Sequence, residues 1–379
     1  MGKFTDSVHL GFEGDKQFNS VNPPIYQTST FFKNDFDDIN KHDYSRVSNP
    51  TREVLENAIA KLEKGEYGLA FSSGVAAVQS LMGLLKSGDK ILASQDLYGG
   101  TLRLFNNFFR NYGIDIIYHD FISLSDIPDS LLKEVKIIYF ETPTNPLLKI
   151  YDISKIAAFA KRHNLISVID NTFATPFNQN PLELGIDLVI HSSSKFLSGH
   201  SDIIGGLTVT NNLEINDKLK YVQKVVGGIP SPFDCWLIFR SMKTFAVRME
   251  RHNSNALHIA EKLKSVNNIK HIFYPILNKD KELAEKQMNG FGAVITIELN
   301  ENVDYKKFIK NLKLIKLAES LGGVESLINH SYSMSHGSIP HEEKIRSGIN
   351  ERVFRISVGL EDVDDIYEDI LTAISLSSS

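Results

Sequence analysis

Residues 165–195 read LISVIDNTFATPFNQNPLELGIDLVIHSSSK. This stretch contains two short, nearly all-apolar runs, 165–169 and 188–190, separated by a segment long enough for a helical crossover. Short apolar strands that alternate with helices are typical of a parallel sheet buried on both faces. The stretch therefore predicts an α/β fold, and in such sheets ligands bind beyond the carboxyl ends of the strands.

The same alternation continues on the N-terminal side of this stretch. Strand-like runs occupy 90–93 and 135–140, and the amphipathic segment 153–163 has the spacing of a helix. Polar residues follow three of the predicted strands, and because these strands are expected to be parallel, their ends meet at one edge of the sheet. The segments to inspect for a ligand site are therefore 141–146, 170–172 and 191–195.

The chain before this region has little regular pattern. Residues 1–48 are loop-like, with no sustained period. Asn49-Pro50-Thr51 then begins a helix, because Asn is a good N-cap and Pro fits the first turn. Apolar residues at helical spacing carry that helix to a point before Gly65.

The C-terminal part of the chain has a different pattern. After Pro230-Ser231-Pro232 one long helical segment is predicted through Leu263. Strand-like runs at 292–297 and 353–358 then mix with helices, including a terminal one over 363–374. We therefore predict an N-terminal arm over 1–48, a large ligand-binding domain over 49–243 and a smaller α+β domain over 244–379.

Composition excludes several classes of protein. The 379 residues carry a formal net charge of -5, whereas nucleic-acid-binding domains are normally basic. No run approaches the roughly 18 apolar residues of a membrane span, and the N-terminus lacks the apolar core of a secretion signal. We therefore expect a cytoplasmic protein with no nucleic-acid or membrane partner. The one cysteine, Cys235, lies in an apolar context and is interpreted as a small buried hydrophobe.

Two charged residues at predicted strand ends suggest a cofactor site. Lys195 follows an apolar strand, where partial burial would favour the neutral, nucleophilic amine; an ordinary surface lysine is the alternative. Asp170 ends the preceding strand and would keep a ring nitrogen protonated; a helix N-cap is the alternative.

Two further segments complete the same set of requirements. Ser72-Ser73-Gly74-Val75 precedes the amphipathic run 76–85, so free N–H groups and the helix dipole would face an anion; a plain capped helix start is the alternative. Tyr98, with glycines at 99 and 100, offers an aromatic face, or is a loop tyrosine with a solvated hydroxyl. Amine, carboxylate, anion cradle and aromatic face are what pyridoxal 5'-phosphate (PLP) needs, with Lys195 holding it as a Schiff base. The absence of G-x-G-x-x-G and Walker-type motifs disfavours dinucleotide and P-loop sites.

Together these segments resemble the Cys/Met-metabolism family of PLP-dependent enzymes, which includes cystathionine γ-synthase, cystathionine γ-lyase, cystathionine β-lyase and methionine γ-lyase. The resemblance spans nearly the whole chain, through residues 24–30, 44–51, 190–196, 319–327 and 355–359. It implies the PLP fold-type I, or aspartate aminotransferase-like, architecture: a large domain with a mostly parallel sheet and a smaller C-terminal domain. It also implies a homotetramer built from two dimers, with the N-terminal arm contacting the neighbouring subunit.

The resemblance implies a role for individual residues. Lys195 and Tyr98 are expected to be catalytic. The cofactor is expected to bind to Lys195, Asp170, Tyr98, Gly74, Val75, Ser192, Ser194, Tyr44, Arg46 and Asn145, with Tyr44 and Arg46 reaching the phosphate from the neighbouring subunit. The substrate is expected to bind to Arg355, Ser320, Asn145, Glu319, Arg103 and Asp43. Ser194 departs from the family pattern, which most often has threonine there, but the hydroxyl is kept.

Residues on the substrate side favour chemistry at the γ-carbon. Glu319 resembles a glutamate that γ-synthases and γ-lyases place near the distal amino group, and Asp43 is more like the synthases. Arg103 resembles an arginine that can meet a distal carboxylate, or it is an exposed helix charge. Gly100 stands where methionine γ-lyase typically has a cysteine, which counts against that activity.

The expected reaction makes or breaks the Cγ–S bond of cystathionine. It would be γ-replacement on an O-acyl-homoserine with cysteine, or γ-elimination of cystathionine to cysteine, 2-oxobutanoate and ammonia. The alternatives are cystathionine β-lyase, and methionine γ-lyase or a homocysteine-forming sulfhydrylase.

Two unrelated enzyme classes are disfavoured by their motifs. The hydrolase pattern G-x-S-x-G fails at Ile203 in the segment 199–203. His330, His336 and His341 lack the spacing of metal ligands, so no metal site is expected.

Overall fold

The computed structural model describes residues 2–337 and 340–378, which form two sheets. The larger sheet has seven strands in the order β1-β7-β6-β5-β4-β2-β3. Strands β2 to β6 are parallel to one another, whereas β7 runs antiparallel to both β1 and β6. The predicted α/β fold with a mostly parallel sheet is confirmed. The strands are β1 (Tyr67–Phe71), β2 (Lys90–Ser94), β3 (Asp115–His119), β4 (Val135–Glu141), β5 (Ile166–Asp170), β6 (Leu188–Ser192) and β7 (Gly206–Thr210).

The smaller sheet is formed by the C-terminal part of the chain. Its five strands follow the order β10-β11-β12-β9-β8, and all neighbours are antiparallel except β10 and β11. The central strands β9 and β12 are buried along their whole length. The strands are β8 (Ile269–Phe273), β9 (Val294–Leu299), β10 (Lys316–Leu317), β11 (Leu327–His330) and β12 (Val353–Ser357).

Helices surround both sheets. The α-helices are α1 (Lys3–His9), α2 (Pro50–Leu62), α3 (Gly74–Gln79), α4 (Gly99–Arg103), α5 (Ile153–Arg162), α6 (Thr175–Asn178), α7 (Leu213–Val226), α8 (Pro232–Met242), α9 (Phe245–Leu263), α10 (Lys281–Gln287), α11 (Tyr305–Asn311), α12 (His341–Arg346) and α13 (Val363–Ser375). A π-helical turn follows α4 at Leu104–Phe108, and 3₁₀ turns occupy Ser80–Leu84, Phe109–Tyr112, Leu124–Asp126, Asp129–Leu132, Pro181–Leu184 and Pro275–Leu277. Among the helices of these described ranges, none has the length and apolar character needed to cross a bilayer.

Two helix predictions have different outcomes. The start of α2 is confirmed, because Asn49 Oδ1 accepts hydrogen bonds from the N–H groups of Thr51 at 2.9 Å and Arg52 at 3.3 Å. The prediction of a single long helix up to Leu263 is wrong, because helix α8 ends at Met242 and helix α9 begins at Phe245. Thr244 Oγ1 donates to the carbonyl of Ser241 at 3.1 Å, and such a side-chain bond competes with helix continuation. The predicted domain boundary at 243/244 lies at this break and stays a prediction.

The predicted loop-like arm is correct except at its beginning. Residues 3–9 form the short helix α1, whose Ser7 hydroxyl donates to the carbonyl of Met242 at 2.7 Å. This contact fastens the start of the chain to the end of α8. Helix α1 has only about two turns, and an apolar pattern of that length is too short to indicate a helix in the sequence.

The two faces of the larger sheet pack against separate apolar clusters. Phe140 and Ile169 point into the cluster that includes α2, α5 and α8, whereas Tyr139 and Val168 point into the cluster that includes α3 and α7. Because side chains alternate along a strand, the residue two positions after Tyr139 or Val168 also faces α3. The terminal residues that share this face at the carboxyl edge of the sheet are Glu141, Asp170 and Ser192.

Candidate active site

A cavity of about 840 Å³ opens at the carboxyl edge of the larger sheet. Strands β4, β5 and β6 form its floor, and Leu327 and Arg355 of the smaller sheet form part of its wall. This is the position that the strand order predicts for a ligand. The predicted site residues that line the cavity are Gly74, Val75, Tyr98, Arg103, Asn145, Asp170, Ser192, Ser194, Lys195, Glu319, Ser320 and Arg355.

Lys195 lies in the turn after β6 and is the amine of the cavity. Burial and, after it, the positive charge of Arg355 lower the pKa of Lys195 to about 8, against the opposing charges of Glu319 and Asp170. Its Nζ donates to the hydroxyl of Ser320 at 2.8 Å. Ser320 has a φ of 84°, in the left-handed region that non-glycine residues rarely occupy. A partly neutral amine held at a strained residue is suited to act as a nucleophile or a base.

Asp170 is the carboxylate at the floor of the cavity. Burial raises the pKa of Asp170, while hydrogen bonds from Thr172 and the charges of His191 and Lys195 lower it. The backbone N–H of Thr172 donates to Asp170 Oδ1 at 3.0 Å. A cation placed against this carboxylate would compensate for its burial, and the protonated nitrogen of a pyridine ring is such a cation.

Polar groups at the start of α3 and the end of β6 form an anion cradle. Ser73 caps α3 by accepting the N–H of Ala76 at 3.0 Å, which leaves the first-turn N–H groups of Gly74 and Val75 without intrahelical partners. A Cβ on Gly74 would lie 2.9 Å from the Cβ of Ser192, so only glycine permits this approach of helix and strand. The hydroxyl of Ser194 accepts from the N–H of Gly205 at 3.0 Å, which holds it at the same end of the cavity.

Tyr98 stands at the beginning of α4 and remains 43% exposed. Its backbone N–H donates to Oε1 of Glu141 at 2.9 Å. A Cβ on Gly100 would lie 2.3 Å from Cε1 of the Tyr98 ring. A side chain at position 100 would therefore displace the Tyr98 ring from the position it has here.

Arg355 is the buried cation of the smaller sheet. Its side chain donates to Asn145 Oδ1 at 3.1 Å and to the carbonyl of Ser320 at 2.9 Å, while its Nε has no hydrogen-bond partner. Burial lowers the pKa of Arg355 to about 10. A buried guanidinium with an unused donor is a ready site for a carboxylate, which accepts two parallel hydrogen bonds from it.

Glu319 and Arg103 also line the cavity, and the charge of Glu319 acts on both Lys195 and Arg355. The amide of Asn329 donates to Oε2 of Glu319 at 3.2 Å, and Asn329 itself is only 1% exposed. Arg103 is the last residue of α4. The cavity therefore presents one more negative and one more positive side chain to a ligand.

A hydrogen-bond network on the opposite face of the sheet holds the strand ends in register. Glu63, fully buried at the end of α2, contacts His191 Nε2 at 2.6 Å and accepts the amide of Asn171 at 2.8 Å. Gln179 donates to Asn171 Oδ1 at 3.0 Å and to the carbonyl of Thr142 at 3.2 Å. The network therefore joins the residues directly beside Asp170, Ser192 and Glu141, which fixes the floor of the cavity.

Three predicted residues do not line this cavity. Arg46 donates to the carbonyl of Lys224 at 2.6 Å and lies over the ring of Tyr44, 5.6 Å from its centroid. Asp43 forms a surface ion pair with Lys33 at 3.4 Å. The structure of one chain thus does not bring them to Lys195, and their arrival from a neighbouring subunit stays a prediction.

Glu141 and Thr172 line the cavity without having been assigned a role from sequence. Both belong to the strand-end segments that the sequence indicated. A carboxyl group directly after a buried apolar strand was the available signal for Glu141. Among the described residues no group of three or more His, Cys, Asp or Glu side chains could hold a metal ion.

Comparison with known proteins gives a consistent result. The model of the family described as Cys/Met metabolism PLP-dependent enzyme matches residues 4–375. A cystathionine beta-lyase of Lactococcus lactis subsp. cremoris (strain MG1363) is 44% identical over 372 residues, covering 98% of this chain and 98% of that protein.

Solved structures of the same family superpose on nearly the whole chain. The crystal structure of cystathionine gamma-lyase from Lactobacillus plantarum, complexed with L-serine, has a TM-score of 0.96 and 42% identity, covering 99% of both chains. That of cystathionine gamma synthase from Xanthomonas oryzae pv. oryzae, in complex with cystathionine, has a TM-score of 0.95 and 36% identity, covering 99% of this chain and 98% of that one. The predicted aspartate aminotransferase-like fold is confirmed by these matches.

Proposed function

The chain belongs to the Cys/Met metabolism family of PLP-dependent enzymes, and on this premise we propose that it makes or breaks the Cγ–S bond of cystathionine. The reaction is γ-replacement on an O-acyl-homoserine with cysteine, or γ-elimination of cystathionine to cysteine, 2-oxobutanoate and ammonia. One observation carries the proposal: the cavity places an amine of lowered pKa, Lys195, between a buried carboxylate and a buried guanidinium.

The side chains on the cavity floor fit PLP. Asp170 would offer its carboxylate to the ring nitrogen, and Lys195 would offer its amine to the aldehyde. Gly74, Val75, Ser192 and Ser194, which line the cavity near the start of α3, would hold the phosphate. When bound, PLP draws electrons away from the substrate's Cα.

Lys195 is proposed to move the substrate's protons. With a pKa of about 8, its amine can both accept and return a proton near neutral pH. The hydroxyl of Ser320 keeps Nζ in place at 2.8 Å. Tyr98, half-exposed above the floor, is the second group that can exchange protons with the substrate.

The two ends of the cavity are proposed to bind the two ends of cystathionine. Arg355, with Asn145 beside it, would take the α-carboxylate next to the reacting carbon. Glu319 would meet the distal amino group and Arg103 the distal carboxylate. The relatives include a cystathionine beta-lyase, and the solved cystathionine gamma synthase holds cystathionine.

Cystathionine β-lyase is the second candidate, because several relatives with 42–44% identity carry that name. Methionine γ-lyase finds no support at position 100, because this chain has a glycine where that enzyme typically has a cysteine.

The keto acid formed from cystathionine tests the proposal. The purified protein is supplied with cystathionine alone, and then with O-acetyl- or O-succinylhomoserine plus cysteine. We expect 2-oxobutanoate and cysteine in the first case, or cystathionine in the second. Pyruvate and homocysteine as the dominant products would refute the γ-reaction and establish the β-lyase.

We also propose that the active site is shared between subunits of a homotetramer made of two dimers. Tyr44 and Arg46 would complete the phosphate site of the neighbouring chain, and Asp43 would lie near its substrate. The exposed arm supports this proposal, because Phe32, Phe36 and Ile39 are each more than four-fifths exposed in the single chain and such large apolar side chains are normally covered.

A further inference from the structure

Glu141 is a buried carboxyl group in the cavity that the proposed chemistry does not use. It is the last residue of β4, is 6% exposed and lines the cavity floor. In the parallel pairing of β4 with β5 it is the direct partner of Asp170. Register partners on neighbouring strands point to the same face, so the two carboxyl groups lie side by side.

The surroundings of the two carboxyl groups differ. Asp170 accepts hydrogen bonds from Thr172 and lies near the amine of Lys195. Glu141 accepts one hydrogen bond, from the backbone N–H of Tyr98 at 2.9 Å. Two adjacent buried carboxyl groups do not both ionise. The negative charge therefore resides on Asp170, and the proton resides on Glu141.

The other groups that face Glu141 reinforce this division. Asp96, which follows β2 and pairs with Lys149 at 2.6 Å, adds a negative charge. Tyr139, two residues earlier on β4, is a fully buried neutral phenol. Burial and, after it, the charge of Asp170 raise the pKa of Glu141 well above its ordinary value. The hydrogen bond from the Tyr98 N–H acts in the opposite direction.

We propose that Glu141 is a neutral carboxylic acid that positions Tyr98 and leaves a single negative charge, on Asp170, to meet the ring nitrogen of the cofactor. An oxygen of its carboxyl group accepts the backbone N–H of Tyr98 and so holds the residue that carries the aromatic ring. Its proton prevents a second carboxylate from competing with Asp170 for the ring's cation. Glu141 is thus a positioning residue, and the inference rests on the proposed PLP site.

Two substitutions separate the neutral acid from an ionised one. Glu141→Gln keeps an acceptor oxygen without charge, and Glu141→Leu removes the acceptor. We expect Glu141→Leu to weaken PLP binding by about tenfold, because the buried Tyr98 N–H loses its partner, and Glu141→Gln to restore most of that loss. Asp170→Asn, which removes the charge itself, should weaken binding by at least about 100-fold. PLP dissociation constants are measured by absorbance and fluorescence titration of the cofactor-free chain.

The outcome that overturns the proposal is equally clear. If Glu141→Gln weakens PLP binding as strongly as Asp170→Asn, then Glu141 acts as a carboxylate. If Glu141→Leu binds as tightly as the unaltered protein and keeps its kcat, then Glu141 does not position Tyr98.

Unfolding of the cofactor-free chain gives a readout independent of activity. A buried acid with a raised pKa keeps its proton in the folded state after the unfolded state has lost it, so stability falls as pH rises above the ordinary value of 4.5. As the pH rises from about 5 to about 8, we expect the urea midpoint of the unaltered protein to decrease relative to that of Glu141→Gln. The opposite slope would show an ionised Glu141.

A control distinguishes this result from a general effect of charge. Glu134 precedes the same strand, is 54% exposed and forms an ion pair with Lys90 at 3.3 Å. Glu134→Gln should show no such relative change of midpoint with pH. Because unfolding is measured without cofactor or substrate, it can support the state of Glu141 even if product analysis refutes the γ-reaction.

Discussion

The charge of Lys195 is set by residues that are distant from it in sequence. Burial and the guanidinium of Arg355 lower the pKa of Lys195 to about 8, against the opposing charges of Glu319 and Asp170. About a tenth of the amine is therefore neutral at pH 7. The sequence predicted a lysine at a strand end, but it could not predict this charge state, because the groups responsible come from β5, β12 and the loop before β11.

The first prediction concerns the rate at which the cofactor-free chain takes up PLP. Since the neutral amine is the nucleophile, the rate should rise with pH through a midpoint of about 8. Arg355→Gln removes a positive charge, so the midpoint should move to higher pH. Stopped-flow absorbance after mixing with PLP measures both.

A nearby arginine outside the cavity serves as the control. Arg352 donates to the carbonyls of Asn300 and Val303, and Arg352→Gln should leave the midpoint in place. A midpoint at the ordinary lysine value of 10.5, or a downward shift in Arg355→Gln, would refute this account of Lys195.

Single residues of the cavity were predictable to the extent that they follow predicted strands. Asp170 and Ser192 end strands that the apolar runs indicated, and the structure places both at the cavity. Glu141 was missed as an individual residue, because its meaning depends on the carboxyl group beside it. Pairing register, which places Glu141 opposite Asp170, is a property of the folded sheet.

At the scale of secondary-structure elements, α3 and β6 approach each other closely at the cavity. The backbone of Gly74 approaches Ser192 so closely that an added Cβ would lie 2.9 Å from the serine's Cβ. Protein interiors do not absorb such overlap without displacement of an element. The anion cradle therefore depends on a glycine at the first position of the helix.

The second prediction is that Gly74→Ala moves α3 away from β6 and weakens PLP binding by about tenfold or more. This loss of affinity corresponds to the free-energy cost that an added methyl group usually has in a well-packed interior. The matched control is Gly228→Ala, whose Cβ would meet only ordinary contacts at 3.7 Å and 3.8 Å. Titration with PLP compares the two. Equal affinities in both variants would show that the cradle does not need this close approach.

Several elements could not be predicted from the pattern of the sequence. The strands β4, β5 and β6 have nearly all-apolar runs. In contrast, β3 begins with Asp115 and ends with His119, and β7 begins with Gly206. Such strands acquire their identity from the neighbour they pair with. The interruption between α8 and α9 was also not predicted, and there the Thr244 hydroxyl donates to the carbonyl of Ser241.

At the scale of the whole molecule, the N-terminal arm is the part that one chain does not explain. Its large apolar side chains are exposed, and Arg46 contacts the end of α7, where it donates to the carbonyl of Lys224 and its side chain lies beside Gly227. The family resemblance alone assigned Tyr44 and Arg46 to a neighbouring active site. No spacing within the sequence could do so, because the partner contributes the other half of the site.

The third prediction tests this sharing by complementation. Lys195→Ala and Arg46→Ala should each be nearly inactive. When the two chains are mixed in equal amounts and reassembled, about a quarter of the sites should be intact, because half of the dimers are mixed and each has one complete site. Activity should therefore return to about a quarter of that of the unaltered protein.

The control for complementation uses variants that share one defect. Lys195→Ala mixed with the double variant Lys195→Ala/Arg46→Ala should recover nothing. If the first mixture also remains at the level of its components, each chain forms its site alone and the shared-site proposal is wrong.

The most direct test of the central claim is to locate the cofactor on the chain. The protein is purified without added PLP, treated with borohydride, digested and analysed by mass spectrometry. The account predicts loss of the visible absorbance band, cofactor mass on the peptide that contains Lys195, and neither band nor labelled peptide in Lys195→Ala. Label on a different lysine, or a visible band that persists in Lys195→Ala after gel filtration, would contradict it.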